Sequence, residues 1–167
     1  LGPNGAGKTT IISIITGVRQ ATSGTVTIQG VPVTRDAHAV HRIIGYVPQD
    51  IALYEALTAR ENLAFFGELV GLSGVRLRQR SDELLERTGL LARAGERVKD
   101  WSGGMKRRLN LIVALLHEPA ILFLDEPTVG IDVQSRAAIW DLLREINATG
   151  TTVVYTSHHL EEAERLC

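Results

Sequence analysis

Gly2 to Thr10 read GPNGAGKTT, a full match to the pattern G-x-x-x-x-G-K-[ST]. Binding phosphate calls for this arrangement. The glycines let the backbone curl until several N–H groups point inward at one anion, and a following helix turns its positive end toward the same place. Asn4, Gly5, Ala6, Gly7, Lys8, Thr9 and Thr10 are therefore expected to surround the phosphates of a nucleoside triphosphate. Lys8 is expected to reach the β and γ phosphates and the Thr9 hydroxyl to ligate Mg2+. A glycine-rich turn is the competing reading; the complete pattern and the apolar segment after it favour the phosphate cradle.

A second pair of chemically able residues lies far along the chain, where Asp125 and Glu126 follow the apolar run ending at Leu124. That position puts two carboxylates at the carboxyl edge of a parallel sheet, where open α/β proteins bind ligands. The first acid suits Mg2+. The second suits a water molecule, which a carboxylate near the γ-phosphate can orient or deprotonate. Without the glycine-rich loop, two solvated turn acids ahead of Pro127 would be the better reading.

Elements that bring these groups together can be read from the periodicity. Ile11, Ile12, Ile14, Ile15 and Val18 crowd almost every face of a segment ending at Gly17, which predicts a buried helix after the loop. Thr25 to Gln29 alternates and a Gln29-Gly30 turn leads to VPV, the pattern of a small antiparallel ribbon. Ile43 to Val47, Ala120 to Leu124 and Thr151 to Tyr155 are short apolar or β-branched runs, as in strands buried on both faces of a parallel sheet. Thr58 and Glu61 predict a capping box, with Ala59, Leu63, Phe66 and Val70 on one face of the helix it starts. Further helices are expected to carry Leu84, Leu85, Thr88 and Leu91; Met105, Leu109, Ile112 and Leu116; and, starting at Ser135, Ile139, Leu142, Leu143 and Ile146 up to Gly150. The expected fold is α/β: a P-loop NTPase core with a mostly parallel sheet, a small antiparallel β ribbon and a helical insert subdomain from about residue 57 to 108.

The 167 residues, 44% hydrophobic, suffice for one domain with a core. A net charge of −1 with interspersed acids and bases gives no electrostatic footprint for nucleic acid or an anionic membrane, so no nucleic-acid partner is expected. The single cysteine, Cys167, rules out an internal disulfide and fits a reducing compartment. The densest apolar runs are shorter than the roughly 18 to 20 residues that span a bilayer.

GPNGAGKTT, VPQD around Gln49, WSGGMKRRL from Trp101, ILFLDEPTVGID from Ile121 and TSHHLEEAE from Thr156 occur in the order seen in ABC transporter ATPases, and the chain resembles that family over essentially its whole length. The resemblance implies binding and hydrolysis of Mg-ATP by two such domains closed face to face. It implies that Gln49 contacts the metal and the attacking water, with Thr9 and Asp125 as further metal ligands, and that Glu126 is the catalytic base or water-orienting residue. Ser102, Gly103 and Gly104 resemble the signature segment that caps the γ-phosphate bound by the opposite subunit. A hydroxyl residue and two glycines opening a helix would suit an anion on physical grounds as well. His158 resembles the switch histidine, with His159 its competitor, and Asp132 the acid of the loop that crosses the dimer interface. His38, His41 and His117 have no comparable context and read as surface or packing residues.

Three positions depart from the common pattern. Trp101 and Met105 flank the signature glycines, and Val133 stands where the family commonly has proline. Met105 followed by Lys106, Arg107 and Arg108 resembles ATPases paired with ABC-2 type exporters of drugs, polysaccharides or sodium; a solvated helix face for 106–108 and simple packing for Trp101 are the alternatives. The implied partners are a transmembrane permease subunit or domain and a second ATPase domain, in a homo- or heterodimer on the cytoplasmic face of the membrane. A soluble ATPase of the same family, acting in translation or DNA repair, is the alternative function; no sustained heptad separates Gln49 from Ser102, as a DNA-acting member would require. A GTPase is disfavoured by the lack of an Asn-Lys-x-Asp motif. With Leu1 in place of Met and an end inside a helix expected from about Leu160, the chain reads as a single ATPase domain truncated at both ends, its adenine-stacking residue expected before Leu1.

Overall fold

In the computed structural model, residues 2–3, 5–34, 38–159, 161–162 and 164 are described. After the glycine-rich loop the chain forms α1 (Lys8–Ile15), then a ribbon of β1 (Thr27–Ile28) and β2 (Val31–Pro32). The ribbon pairs Thr27 with Pro32 and Ile28 with Val31. Gln29 and Gly30 between them both have positive φ, 49° and 79°, as a two-residue hairpin turn requires. The short α2 (His38–His41) leads to β3 (Ile44–Val47), followed by α3 (Ala59–Leu69), α4 (Gly74–Arg87), α5 (Gly103–Val113), β4 (Ile121–Asp125), α6 (Val133–Ala148) and β5 (Thr152–Thr156).

The strands β3, β4 and β5 lie side by side in that order and run parallel. Burial along β4 assigns the layers. Leu122 and Leu124 join a core with Leu109 and Ile112 of α5 and Ile139 and Leu143 of α6. Phe123 points the other way, into a smaller cluster with Ile12 of α1, Ile28, Val40 and Ile44. Helices on both faces of a parallel sheet make this an α/β fold, as expected. The expected capping box is present: the Glu61 amide donates to the Thr58 hydroxyl at 3.1 Å, and the Thr58 amide to the Glu61 carboxylate at 2.7 Å.

Several local expectations are corrected. The first helix is not buried all round: Ile12 is enclosed, but Ile11 and Val18 are 58% and 68% exposed, because α1 meets β4 along one side only. The strand β5 is likewise half open, with Thr152 and Val154 exposed, since among the described residues it has one strand neighbour and α6 on one face. Leu91 falls outside α4, which stops at Arg87 before Gly89 turns at φ 67°; Leu91 instead opens a 3-10 turn to Arg93. Leu116 lies beyond the end of α5. The helix expected to begin at Ser135 begins at Val133, because Asp132 takes the cap position and accepts the Ser135 amide at 2.8 Å. The helix expected from Leu160 lies largely outside the described residues. His117 packs as expected, its Nε2 2.9 Å from the Ile44 carbonyl; burial pushes its pKa down.

Gly45 sits where β3 passes under the loop between α5 and β4. A Cβ there would fall 2.9 Å from Leu122 Cδ1 and 3.1 Å from Pro119 Cγ, and closer still to the Ala114 carbonyl. The Ala114 carbonyl is backbone and cannot swing away, so Gly45→Ala is expected to destabilise the fold by about 1–3 kcal/mol through overpacking. Calorimetric melting of the full-length protein would show a Tm several degrees lower; an unchanged Tm would mean that this crossing is looser than described.

Candidate active site

The loop before α1 curls because two of its residues take left-handed backbone. Gly5 has φ 82°, and Gly7, at the helix N-cap, has φ 86°, a conformation that only glycine adopts without strain. The turn is closed by the Ala6 amide donating to the Pro3 carbonyl at 3.2 Å. Lys8 leaves the first turn of α1 and folds back. Its ammonium donates to the Gly2 and Pro3 carbonyls at 2.8 and 3.1 Å and pairs with Glu126 Oε1 at 3.2 Å. Beside it opens a cleft of about 500 Å3 whose walls are Gly5, Gly7, Lys8, Thr9 and Thr10 from the loop and Gln49, Glu126, Val129 and His158 from the sheet side. Ala6 is exposed but not part of this wall. Asn4 lies outside the described residues.

Three strand ends supply the sheet side. Gln49 follows β3, Glu126 follows β4 and His158 follows β5. Glu126 stands at φ 47°, unusual for a residue with a side chain. The turn is held by Thr156, whose carbonyl and hydroxyl accept the Glu126 amide at 3.2 and 3.1 Å. The Glu126 side chain, only 8% exposed, then lies between Lys8 and His158, with His158 Nδ1 3.1 Å from Oε2. Between the two adjacent histidines, the structure brings His158 to the cleft, while the His159 amide donates to the Ser157 hydroxyl.

Asp125 is fully buried. Its Oδ1 accepts the Thr156 hydroxyl at 2.7 Å, and its Oδ2 has no hydrogen-bond partner among the described residues. An orphaned buried carboxylate oxygen is costly unless a cation or donor reaches it. Among the described residues no group of three or more His, Cys, Asp or Glu side chains is arranged around a metal. The unpartnered Asp125 Oδ2 is a hard oxygen donor of the kind Mg2+ accepts, since Mg2+ keeps few protein ligands and takes the rest from phosphate and water.

The remaining expected residues lie elsewhere. Ser102 caps α5, its hydroxyl accepting the Met105 amide at 3.3 Å, and Ser102 and Gly103 are exposed outside the cleft. Gly104 is buried against the start of α6, where a Cβ would come within 2.7 Å of Ser135 Cβ and 3.0 Å of Asp132 Oδ2. The signature segment and Asp132 therefore share one edge of the molecule. Asp132 spends its carboxylate on capping α6, and the Ser135 amide and hydroxyl hold its pKa below the usual carboxylate range.

Two residues escaped the sequence reading. Arg107, in the stretch for which a solvated face was one alternative, is 4% exposed. Its guanidinium donates to the carbonyls of Pro48 (3.0 Å), Gln49 (2.7 Å) and Glu126 (3.4 Å). Burial pushes its pKa down, opposed by the charges of Asp50 and Asp125. Neighbouring Arg108 donates to the Thr88 carbonyl at 2.8 Å and Lys106 pairs with Glu55 at 2.7 Å, so none of the three is a free surface charge. Trp101, 5% exposed, is packed in the main core.

Glu162 is the other. It is 3% exposed and accepts hydroxyls from Thr128 (2.6 Å), Ser157 (2.6 Å) and Tyr155 (3.0 Å), gathering the segments that follow β4 and β5. Burial pushes its pKa up, and the hydroxyls of Ser157, Thr128 and Tyr155 outweigh that, leaving it below the ordinary glutamate value. Burial likewise pushes the Tyr155 phenol up, so it remains a donor. Glu162 lies within the TSHHLEEAE segment, but the sequence assigns no role to any one of its acids.

Because its folded pKa is depressed, the Glu162 carboxylate contributes stability that is complete above the unfolded value of about 4.3 and is lost as pH falls through the lower folded value. Glu162→Gln is expected to cost about 1–3 kcal/mol near pH 7, with a smaller gap from wild type below about pH 4. Urea unfolding of the full-length protein at the two pH values measures it. A gap that stays constant would rule out an ionised clamp.

The family described as ABC transporter matches residues 1–129. The chain is 50% identical over its full length to the linearmycin resistance ATP-binding protein LnrL of Bacillus subtilis (strain 168), covering 54% of that protein. It is 46% identical to the daunorubicin resistance ATP-binding protein DrrA3 of Streptomyces coeruleorubidus, over 99% of the chain and 52% of the relative. It is 46% identical to the Nod factor export ATP-binding protein I of Paraburkholderia xenovorans (strain LB400), over all of the chain and 55% of the relative. The chain thus spans about half the length of the curated relatives it matches. Among solved structures, an ATP binding subunit of an ABC transporter superposes with a TM-score of 0.88 at 32% identity, covering all of this chain and 70% of that one. A dimeric post-hydrolysis ATP-binding cassette bound to ADP and Pi gives 0.84 at 30% identity, covering 98% and 75%. A glycine loop and three strand ends meeting in one cleft, on a fold and sequence shared this widely, identify the chain as a member of the ABC transporter family.

Proposed function

We propose that this chain is the ATP-binding and ATP-hydrolysing motor of an ABC exporter, working as a face-to-face dimer that drives a membrane partner. The observation that carries the reading is the convergence of Lys8, Glu126 and His158 in one cleft beneath a phosphate-type loop. ATP binds with its phosphates in that loop, where the amides around Gly5 and Gly7 and the start of α1 present positive charge. Lys8 moves its ammonium onto the β and γ phosphates.

Thr9, Gln49 and Asp125 are the groups that would hold Mg2+, which supplies charge neutralisation on the phosphate oxygens. Glu126 takes a proton from a water molecule as the water oxygen forms a bond to the γ-phosphorus. The bond from that phosphorus to the β–γ bridging oxygen breaks, leaving ADP and phosphate. His158 holds the Glu126 carboxylate through Nδ1, and its second ring nitrogen serves the γ-phosphate.

Ser102 and Gly103 are exposed and outside their own cleft, which suits action on nucleotide held by a second subunit. A dimer is the form named for one structural neighbour. Relatives named for drug resistance and for export support the exporter reading over a soluble ATPase of translation or DNA repair. Among the described residues no helix is long and apolar enough to cross a membrane. The resemblance to ATP-binding proteins of export and drug resistance supports a permease as a separate subunit or domain, with this domain at the cytoplasmic face.

In the full-length protein, Glu126→Gln is expected to bind Mg-ATP normally and lose about 10²–10⁴ in turnover, equivalent to roughly 3–5 kcal/mol. It should accumulate as an ATP-loaded dimer, seen by size-exclusion chromatography beside a phosphate-release assay. Turnover near the wild-type rate would remove Glu126 as the base. Lys8→Ala is expected to lose most ATP affinity in calorimetry at matched Mg2+; unchanged affinity would remove the phosphate-loop assignment.

A further inference from the structure

The start of α5 carries Ser102, Gly103 and Gly104, and its next turn reaches into the other half of the site. Arg107 Nη1 donates to the Pro48 carbonyl and Nη2 to those of Gln49 and Glu126. Asn110, one turn on, accepts the Ala52 amide at 3.2 Å, and Lys106 pairs with Glu55. The loop bearing Gln49 is thus hung on α5 by three side chains, and one of them, Arg107, also ties the backbone of Glu126 to the same helix.

Arg107 makes these contacts with no carboxylate in ion-pair range among the described residues. Asp50 and Asp125 act on it as charges at a distance. A buried guanidinium bound only to carbonyls neutralises nothing at contact, so its effect is geometric: a planar fork sets the relative positions of two carbonyl groups and, more weakly, of a third. The first two belong to the Gln49 loop and the third to Glu126 itself, whose own turn takes positive φ without a glycine.

We infer that Arg107 is a positioning residue for hydrolysis, setting Gln49 and the Glu126 backbone relative to each other and tying both to the helix that carries Ser102–Gly104. The inference rests on the ATPase reading above. It extends it by giving the segment exposed to a second subunit a rigid connection to the catalytic groups of its own. Displacement of those groups by a fraction of an ångström to one ångström affects the attacking geometry far more than nucleotide binding, which Lys8 and the loop amides carry.

The test compares full-length wild type with Arg107→Met, which fills similar volume without donors, and Arg107→Lys, which keeps the charge but has no fork. Steady-state hydrolysis gives kcat, calorimetry with a non-hydrolysable ATP analogue and Mg2+ gives affinity, and thermal melting monitors folding. The expected result is a kcat lower by about 10- to 100-fold in Arg107→Met, analogue affinity within about threefold of wild type, and partial recovery of kcat in Arg107→Lys. A wild-type kcat in Arg107→Met overturns the inference, as does a parallel loss of kcat and affinity in both variants, which marks a merely structural residue. Should Arg107→Met unfold, Arg107→Lys decides alone: a several-fold lower kcat at unchanged affinity supports the inference and a wild-type kcat overturns it. Failure of the wild type itself to hydrolyse ATP counts against the ATPase reading and, with it, the role given to Arg107.

Discussion

Val47, Leu124 and Tyr155 stand side by side across three parallel strands, and the cleft depends on that registry. Parallel strands offer a common ligand only their carboxyl ends, so each group must leave its strand at nearly the same level. Gln49 lies two residues past Val47, Glu126 two past Leu124 and His158 three past Tyr155. Sliding one strand by a single residue would shift its end by about 3.3 Å and turn its inward set outward. A shift that large would break the 3.1 and 3.2 Å contacts at Glu126. The apolar core forbids the slip, since Leu122 and Leu124 are buried on one face of β4 and Phe123 on the other. Packing far from the chemistry therefore sets its dimensions.

At the strand ends themselves apolar packing gives way to buried polar groups that satisfy one another. The Thr156 hydroxyl lies within hydrogen-bond reach of the Leu124 carbonyl, Asp125 Oδ1 and the Glu126 amide. Glu162 binds hydroxyls from both segments that leave the sheet beside the cleft. In so dry a setting a satisfied network is stiff, because any displacement strands a donor or acceptor away from water. Among the described residues, the buried side-chain oxygen left without a hydrogen bond is Asp125 Oδ2, on the residue proposed above to hold Mg2+.

The fold class, the three parallel strands, the ribbon and the Thr58 capping box were legible because each is written in local periodicity or in adjacent residues. The grouping of Gly5, Gly7, Lys8, Thr9, Thr10, Gln49, Glu126 and His158 was legible because motif order stands in for a three-dimensional arrangement, although Ala6 of the same motif lies outside the wall. The misses share one physical cause: what decides them lies across the fold. Ile11 and Ile12 are the same residue type in adjacent positions, and only the place of β4 separates exposed from buried. Asp132 and Ser135 both suit a helix start, and the cap went to the residue whose carboxylate meets the amide three positions on. Arg107 and Glu162 look like members of charged runs, since no sequence pattern records which carbonyls or hydroxyls will surround a given charge.

The helix α5 shows how one element can serve two surfaces. Gly104, Arg107 and Asn110 recur at intervals of three, which places them along one side of a helix. Gly104 admits the start of α6 with its capping Asp132, Arg107 reaches Glu126 and the Gln49 loop, and Asn110 holds that loop farther along. Leu109 and Ile112, on the adjoining side, anchor the helix in the main core. An apolar residue at 107 would have left three carbonyls without that donor, and a lysine would have offered a mobile point charge in place of a fork. Burying a guanidinium is costly, and three carbonyls offset that cost less completely than a carboxylate would. What the arrangement supplies in return is a fixed distance between the exposed Ser102–Gly103 end of α5 and the carbonyls of Gln49 and Glu126 beside the cleft.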